Sequence, residues 1–185
     1  MLIKKRRIKK FIEYLESNPF IGNQESCGRG KDYWNADMWT IQVSKCLYYG
    51  YEYTVPDKFK DNCNADLNRI KSDANIKLNV MNILQDIKDS ADCLLICESG
   101  RLLDGVIANQ VKEWKKVYCY DHVNYEKYLN IFDNIEFIHT STNTFDPKII
   151  KEKCIMIMNH SLCRNLDKFK INNIIHAIVD GEVKW

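Results

Sequence analysis

Residues 93–121 read CLLICESGRLLDGVIANQVKEWKKVYCYD, and the changes of period inside this stretch decide the fold. Cys93 to Cys97 is a continuous apolar run, too short for a helix and bounded by polar residues, the pattern of a strand buried on both faces. Leu102 to Trp114 then takes helical spacing, and Lys116 to Tyr120 returns to a short apolar run ending in Asp121. Strand, helix and strand in quick succession make one parallel crossover unit.

The alternation continues toward the carboxyl end. Tyr125–Phe132 and Pro147–Lys151 read as helical, whereas Ile135–His139, Cys154–Met158 and Ile174–Val179 read as strands. Right-handed crossovers then give an α/β architecture with a doubly wound, mostly parallel sheet over residues 91–185. Nothing after Ile174 reads as a further strand pair, so the sheet is expected to end there.

Toward the amino end the pattern is helical. Ile8, Phe11, Ile12 and Leu15 repeat at i, i+3, i+4, i+7, with Lys4, Lys5, Arg6, Arg7, Lys9 and Lys10 around them. Such a basic face is either simply solvated or a contact for nucleic acid or an acidic partner. Pro19, Gly22, Gly28 and Gly30 mark a loop. Gly28-Arg29-Gly30-Lys31 is not a phosphate loop, because Glu25 and Asp32 stand where glycine and a hydroxyl residue are required. Trp39, Val43, Cys46 and Leu47 form a second helical stripe stopped by Gly50, and Tyr33, Trp34 and Trp39 either pack in the core, line a substrate pocket or stack on a base. A third stripe runs through Leu67, Ile70, Ala74, Leu78, Met81 and Leu84 to about Asp89. Residues 1–90 are thus expected to be a helical N-terminal extension, a lid or partner-binding region, ahead of the layer formed by 91–185.

Composition narrows the class. A chain of 185 residues with 45% hydrophobic and 28% charged residues is ordinary for a globular domain. The net charge of +2 gives no whole-molecule attraction for polyanions and leaves only local patches to do so. Eight cysteines without a secretory leader read as reduced thiols, hence a cytoplasmic location. Only Cys93 and Cys97 stand close together, without a metal-binding spacing around them, so no metal is expected. No apolar stretch reaches the roughly 20 residues needed to cross a bilayer.

In an open parallel sheet ligands bind beyond the carboxyl ends of the strands, where strand order reverses. The first apolar run passes through Glu98 and Gly100 straight into a helix, so Gly100 occupies the tight turn where a ligand meets the backbone. Asp121 follows the second run, 121 − 98 = 23 positions beyond Glu98. An acid about 20 residues beyond the glycine turn is where a ribose diol is held by a carboxylate.

The segments LLICESGRLLDGVIANQV, KKVYCYDHV, NIEFIHTSTNTFD and CIMIMNHSLCRNL, spanning roughly Cys93 to Leu166, resemble successive cofactor-binding motifs of class I S-adenosylmethionine-dependent methyltransferases, a Rossmann-like family. The resemblance implies that Gly100 belongs to the turn under the methionine moiety and Asp121 binds the adenosine ribose. It further implies that Ser141 flanks adenine and that Asn159 and His160 face the methyl-transfer site. The glycine-rich turn is eroded to Gly100, and Ser141 and Cys154 stand where the family often has acids.

Glu98 is placed to contact the cofactor's amino group or to cap the following helix. A hydroxyl acceptor would need a base, for which His160 or His122 is suited. The cofactor-binding candidates are Glu98, Gly100, Asp121, His122, Ser141 and Asn159, and the catalytic candidate is His160. Asn159-His160-Ser161-Leu162 departs from the Asn-Pro-Pro-aromatic motif of amino-methylating enzymes, which favours a hydroxyl acceptor over a base amine. The competing reading is a catalytically silent Rossmann-like module that binds a protein or nucleic acid through its basic first helix and the aromatic segment of residues 33–53. A dinucleotide-dependent oxidoreductase is disfavoured because the full G-x-G-x-x-G turn is missing.

Overall fold

Apolar runs long enough only for strands, set between helix-period segments, fold as their spacing requires. The computed structural model describes residues 5–17, 36–54, 56, 67–97, 103–121, 133–158 and 166–185. The chain divides into two compact units, Met1–Ile76 and Lys77–Trp185.

The first unit contains helix α1 (Lys5–Ser17), helix α2 (Ala36–Tyr49) and the start of helix α3 (Leu67–Ile87). In α1 the four apolar residues at helical spacing, Ile8, Phe11, Ile12 and Leu15, are the buried ones, while Lys5, Arg6, Lys9 and Lys10 are exposed. Within α2, Ile41, Val43, Cys46 and Leu47 are buried, and Ser44 satisfies its hydroxyl on the Thr40 carbonyl at 2.6 Å. Lys45 of α2 meets Glu16 of α1 at 2.5 Å. Helix α2 stops at Gly50, whose φ of +80° is the left-handed conformation that ends helices. The side chains of Tyr33, Trp34 and Trp39 lie outside the described residues.

The second unit is α/β. Its six-stranded sheet comprises β1 (Cys93–Cys97), β2 (Lys116–Asp121), β3 (Ile135–His139), β4 (Cys154–Met158), β5 (Ile174–Val179) and β6 (Glu182–Val183). The order is β3-β2-β1-β4-β5-β6, with all pairs parallel except β5 with β6. Such an order is compatible with a Rossmann-like layer. The two-residue β6 and its hairpin correct the expectation that the sheet ends with β5. Asp180 and Gly181 both adopt positive φ, 50° and 79°, the turn geometry that matches the twist of a two-residue hairpin.

Strand alternation divides the sheet into two apolar faces. One carries Leu94, Ile96, Val117, Cys119, Ile155 and Ile157, all fully buried. Helix α4 (Leu103–Val111) follows β1 and buries Leu103, Asp104, Val106, Ile107 and Ala108. The carboxylate of Asp104 is also tied to Lys77 of α3 at 2.7 Å. Lys112 fastens the helix exit by donating to the carbonyls of Lys88 and Ala91.

The opposite face, with Leu95, Tyr118, Tyr120, Met156 and Ala177, is closed by Phe145, Ile150 and Phe169. These residues come from the segments after β3 and β4, where the described structure holds only 3-10 turns, Pro147–Ile149 and Leu166–Phe169. The rings of Tyr120 and Phe145 stack at 4.2 Å, and Phe169 stacks beyond them. Pro147–Lys151 is therefore not an α-helix. Asp146 accepts from the Lys148 amide, one turn forms, and Ile150 is already extended, so its side chain can turn into the core.

Candidate functional site

Strand register places several chain segments at one rim. Cys97, the last residue of β1, pairs with Tyr120 of β2 on one side and with Met158, the last residue of β4, on the other. The chain therefore leaves β1, β2 and β4 at nearly the same level. Strand order reverses between β1 and β4, because β1 leads outward through β2 to β3 while β4 leads the other way through β5. A reversal of this kind opens a crevice at the carboxyl ends of the strands.

Asp121 closes β2 opposite His139 of β3 and is only 3% exposed. Its carbonyl accepts from the Thr140 amide at 3.0 Å, fixing the backbone at the rim. A carboxylate so enclosed is an expensive group to bury and needs polar partners. It shares its face with Cys119, whose thiol is pushed well above its ordinary pKa, first by burial and then by the charges of Asp121, Cys97 and Asp104. The thiol is thus held protonated and is no nucleophile.

Ser141 lies two residues past β3, half-buried, in a hydroxyl-rich turn. Its carbonyl accepts from the amides of Thr144 and Phe145, at 3.1 and 2.8 Å. Its hydroxyl lies 3.0 Å from the Thr144 Oγ1, which in turn is 2.6 Å from the Thr140 Oγ1. Below the turn, the Tyr120 hydroxyl is 3.3 Å from the Thr142 Oγ1. Lys168 donates to the Thr142 carbonyl and, at 3.0 Å, to that of Phe145, joining the segments after β3 and β4.

Glu98, Gly100, His122, Asn159 and His160 lie outside the described residues. Each belongs to a segment that begins directly at this rim, after Cys97, Asp121 or Met158. The other two histidines have structural settings. His139 is exposed beside Phe137, and the His176 Nδ1 faces the Trp185 carbonyl at 3.3 Å.

Three residues at or near the rim were not singled out from sequence. Asp104, in the first turn of α4, is fully buried and paired with Lys77, and its signal was an acid opening the helix after Gly100. Tyr120 and Lys168 organise the turn after β3, and neither carries a sequence mark beyond an aromatic in a strand and a lysine in a polar stretch.

Among the described residues no three His, Cys, Asp or Glu side chains gather as a metal site. No described helix is long and apolar enough to cross a membrane. Cys46, Cys93, Cys97, Cys119 and Cys154 are buried thiols in no disulfide, and burial pushes the pKa of Cys154 up to about 12. No family model, no curated protein and no solved structure matches the chain.

Proposed function

We propose that the second unit is a Rossmann-like, doubly wound layer that binds S-adenosylmethionine and transfers its methyl group, with a hydroxyl as the favoured acceptor. The observation that carries the reading is the enclosed Asp121 carboxylate at the end of β2, beside the reversal of strand order. In this reading Asp121 holds the ribose hydroxyls, Ser141 flanks adenine, and Glu98, Gly100, His122 and Asn159 complete the cofactor-binding set. His160 removes the acceptor's proton. The cofactor supplies an electrophilic methyl on a sulfonium, and the protein's task is to hold the acceptor close and aligned, worth roughly 7–11 kcal/mol.

Partners and compartment belong to the same proposal. The exposed cations of α1 favour a polyanion, whether nucleic acid or an acidic protein. A cytoplasmic location suits these five buried thiols, which in a reducing compartment act as small apolar core residues.

Calorimetric titration with S-adenosylhomocysteine tests the reading. Wild type should bind, with a matching rise in melting temperature by mass action. Asp121→Asn, nearly the same size, should weaken binding about ten-fold or more through loss of a charged acceptor. Either no binding signal to wild type, or undiminished affinity in a folded Asp121→Asn variant, overturns the proposal.

A further inference from the structure

The first unit carries a surface built differently from the rim of the sheet. On α1, Lys5, Arg6, Lys9 and Lys10 occupy one helical face, opposite the buried stripe of Ile8, Phe11, Ile12 and Leu15. Lys9 meets Glu13 at 3.6 Å, so the face is basic in its first two turns and neutralised only farther along. Lys5 brings the basic end to the carboxyl end of α2, its Nζ lying 5.6 Å from the centre of the Tyr48 ring.

That corner is aromatic and held in place. Tyr53 donates its hydroxyl to the buried Gln42 side chain, which anchors the ring from below. Tyr49 lies nearly parallel to Tyr53, at 15° and 5.9 Å, and Tyr48 meets it edge-on at 88° and 4.7 Å. Tyr49 is nevertheless 58% exposed. A large ring fixed by two neighbours yet open to water is ready to accept another flat group at little entropic cost. The left-handed turn at Gly50 makes the arrangement possible by folding the chain back so that Tyr53 stacks on Tyr49.

We propose that the first unit binds single-stranded nucleic acid, with a base stacked on Tyr49 and adjacent phosphates held by Lys5, Arg6 and Lys10. Stacked rings beside a row of cations is the combination that single strands require, because every base has a π face and every nucleotide a phosphate. A duplex keeps its bases paired and offers no face to Tyr49. An anionic membrane is a poor fit, because the apolar residues of α1 are all committed to the protein interior and none remains to insert. An acidic peptide would use the cations and leave the ring idle.

Fluorescence anisotropy with a labelled oligothymidylate, its paired duplex and phosphatidylserine vesicles tests the assignment on the full chain, without any methyl donor or analogue. Binding should favour the single strand and weaken as salt rises, with a log–log slope of about −0.7 for each phosphate contacted. Tyr49→Ala should weaken binding about ten-fold or more, whereas Tyr49→Trp should retain or tighten it. Neutralising Lys5, Arg6 and Lys10 together should flatten the salt slope by about 2. Equal affinity for single strand and duplex, preference for vesicles, or indifference of a folded Tyr49→Ala variant overturns the proposal. The inference rests on the reading of α1 as a polyanion contact and not on methyl transfer, so cofactor titration and oligonucleotide binding can fail independently.

Discussion

Lys77 stands where the apolar stripe of α3 calls for a hydrocarbon side chain. Its neighbours on that line, Ile70, Ala74, Val80, Met81 and Leu84, are buried, and so is Lys77, because the fully enclosed Asp104 lies 2.7 Å from its ammonium. Two charges removed from water gain little net stability as a pair, but either one left alone is costly. Asp104→Ala should therefore lower unfolding stability by about 3–5 kcal/mol. The double change Lys77→Met with Asp104→Val should recover most of the loss. Urea denaturation of the single and double variants measures this, and a double variant as unstable as Asp104→Ala would refute the account. The stripe from Leu67 to Leu84 is enough to predict the helix, whereas the burial of Lys77 is not legible, because a lysine in a core line carries no hydrophobic signal.

Strands were the most legible elements. Five of them coincide almost residue for residue with the short runs read from the sequence, and β1 and β4, buried along their whole length, have no polar alternation to blur their limits. The sixth, β6, has only two residues, Glu182 and Val183, both exposed, so hydrophobicity could not reveal it. The readable sign was Asp180-Gly181, a turn pair between Val179 and Glu182-Val183. Gly181→Ala should cost about 1–2 kcal/mol, because a Cβ is strained at positive φ, while Asp180→Asn should be neutral. Thermal melting of the two variants distinguishes them, and equal melting points would contradict the turn assignment. The covering of the second face was misread at Pro147–Lys151 for a related reason. Five residues of helical composition are too few to make a helix when the fourth must turn inward, as Ile150 does. At the site, Asp121 could be placed from sequence because strand ends are sharp, whereas the turn hydroxyls and Lys168 act through geometry that spacing does not encode.

At the scale of the molecule, the division into units falls within α3, between Ile76 and Lys77, rather than at a linker. Inside the second unit, β1 and β4 each have neighbours on both sides and every residue buried, whereas the edge strand β3 is half-exposed. Hydrogen exchange followed by mass spectrometry should find the slowest amides in β1 and β4 and faster ones in β3 and β6. Uniform exchange across the sheet would contradict this ordering. The strand order also bears on how the chain is made. The register partners Cys93 and Cys154 stand 154 − 93 = 61 positions apart. At ordinary translation speeds the ribosome takes roughly 3–12 seconds to add that many residues. Throughout that interval the side of β1 that β4 will cover is a row of unpaired backbone N–H and C=O groups on a strand whose five side chains are all destined for burial, and only a strand not yet synthesised can complete it.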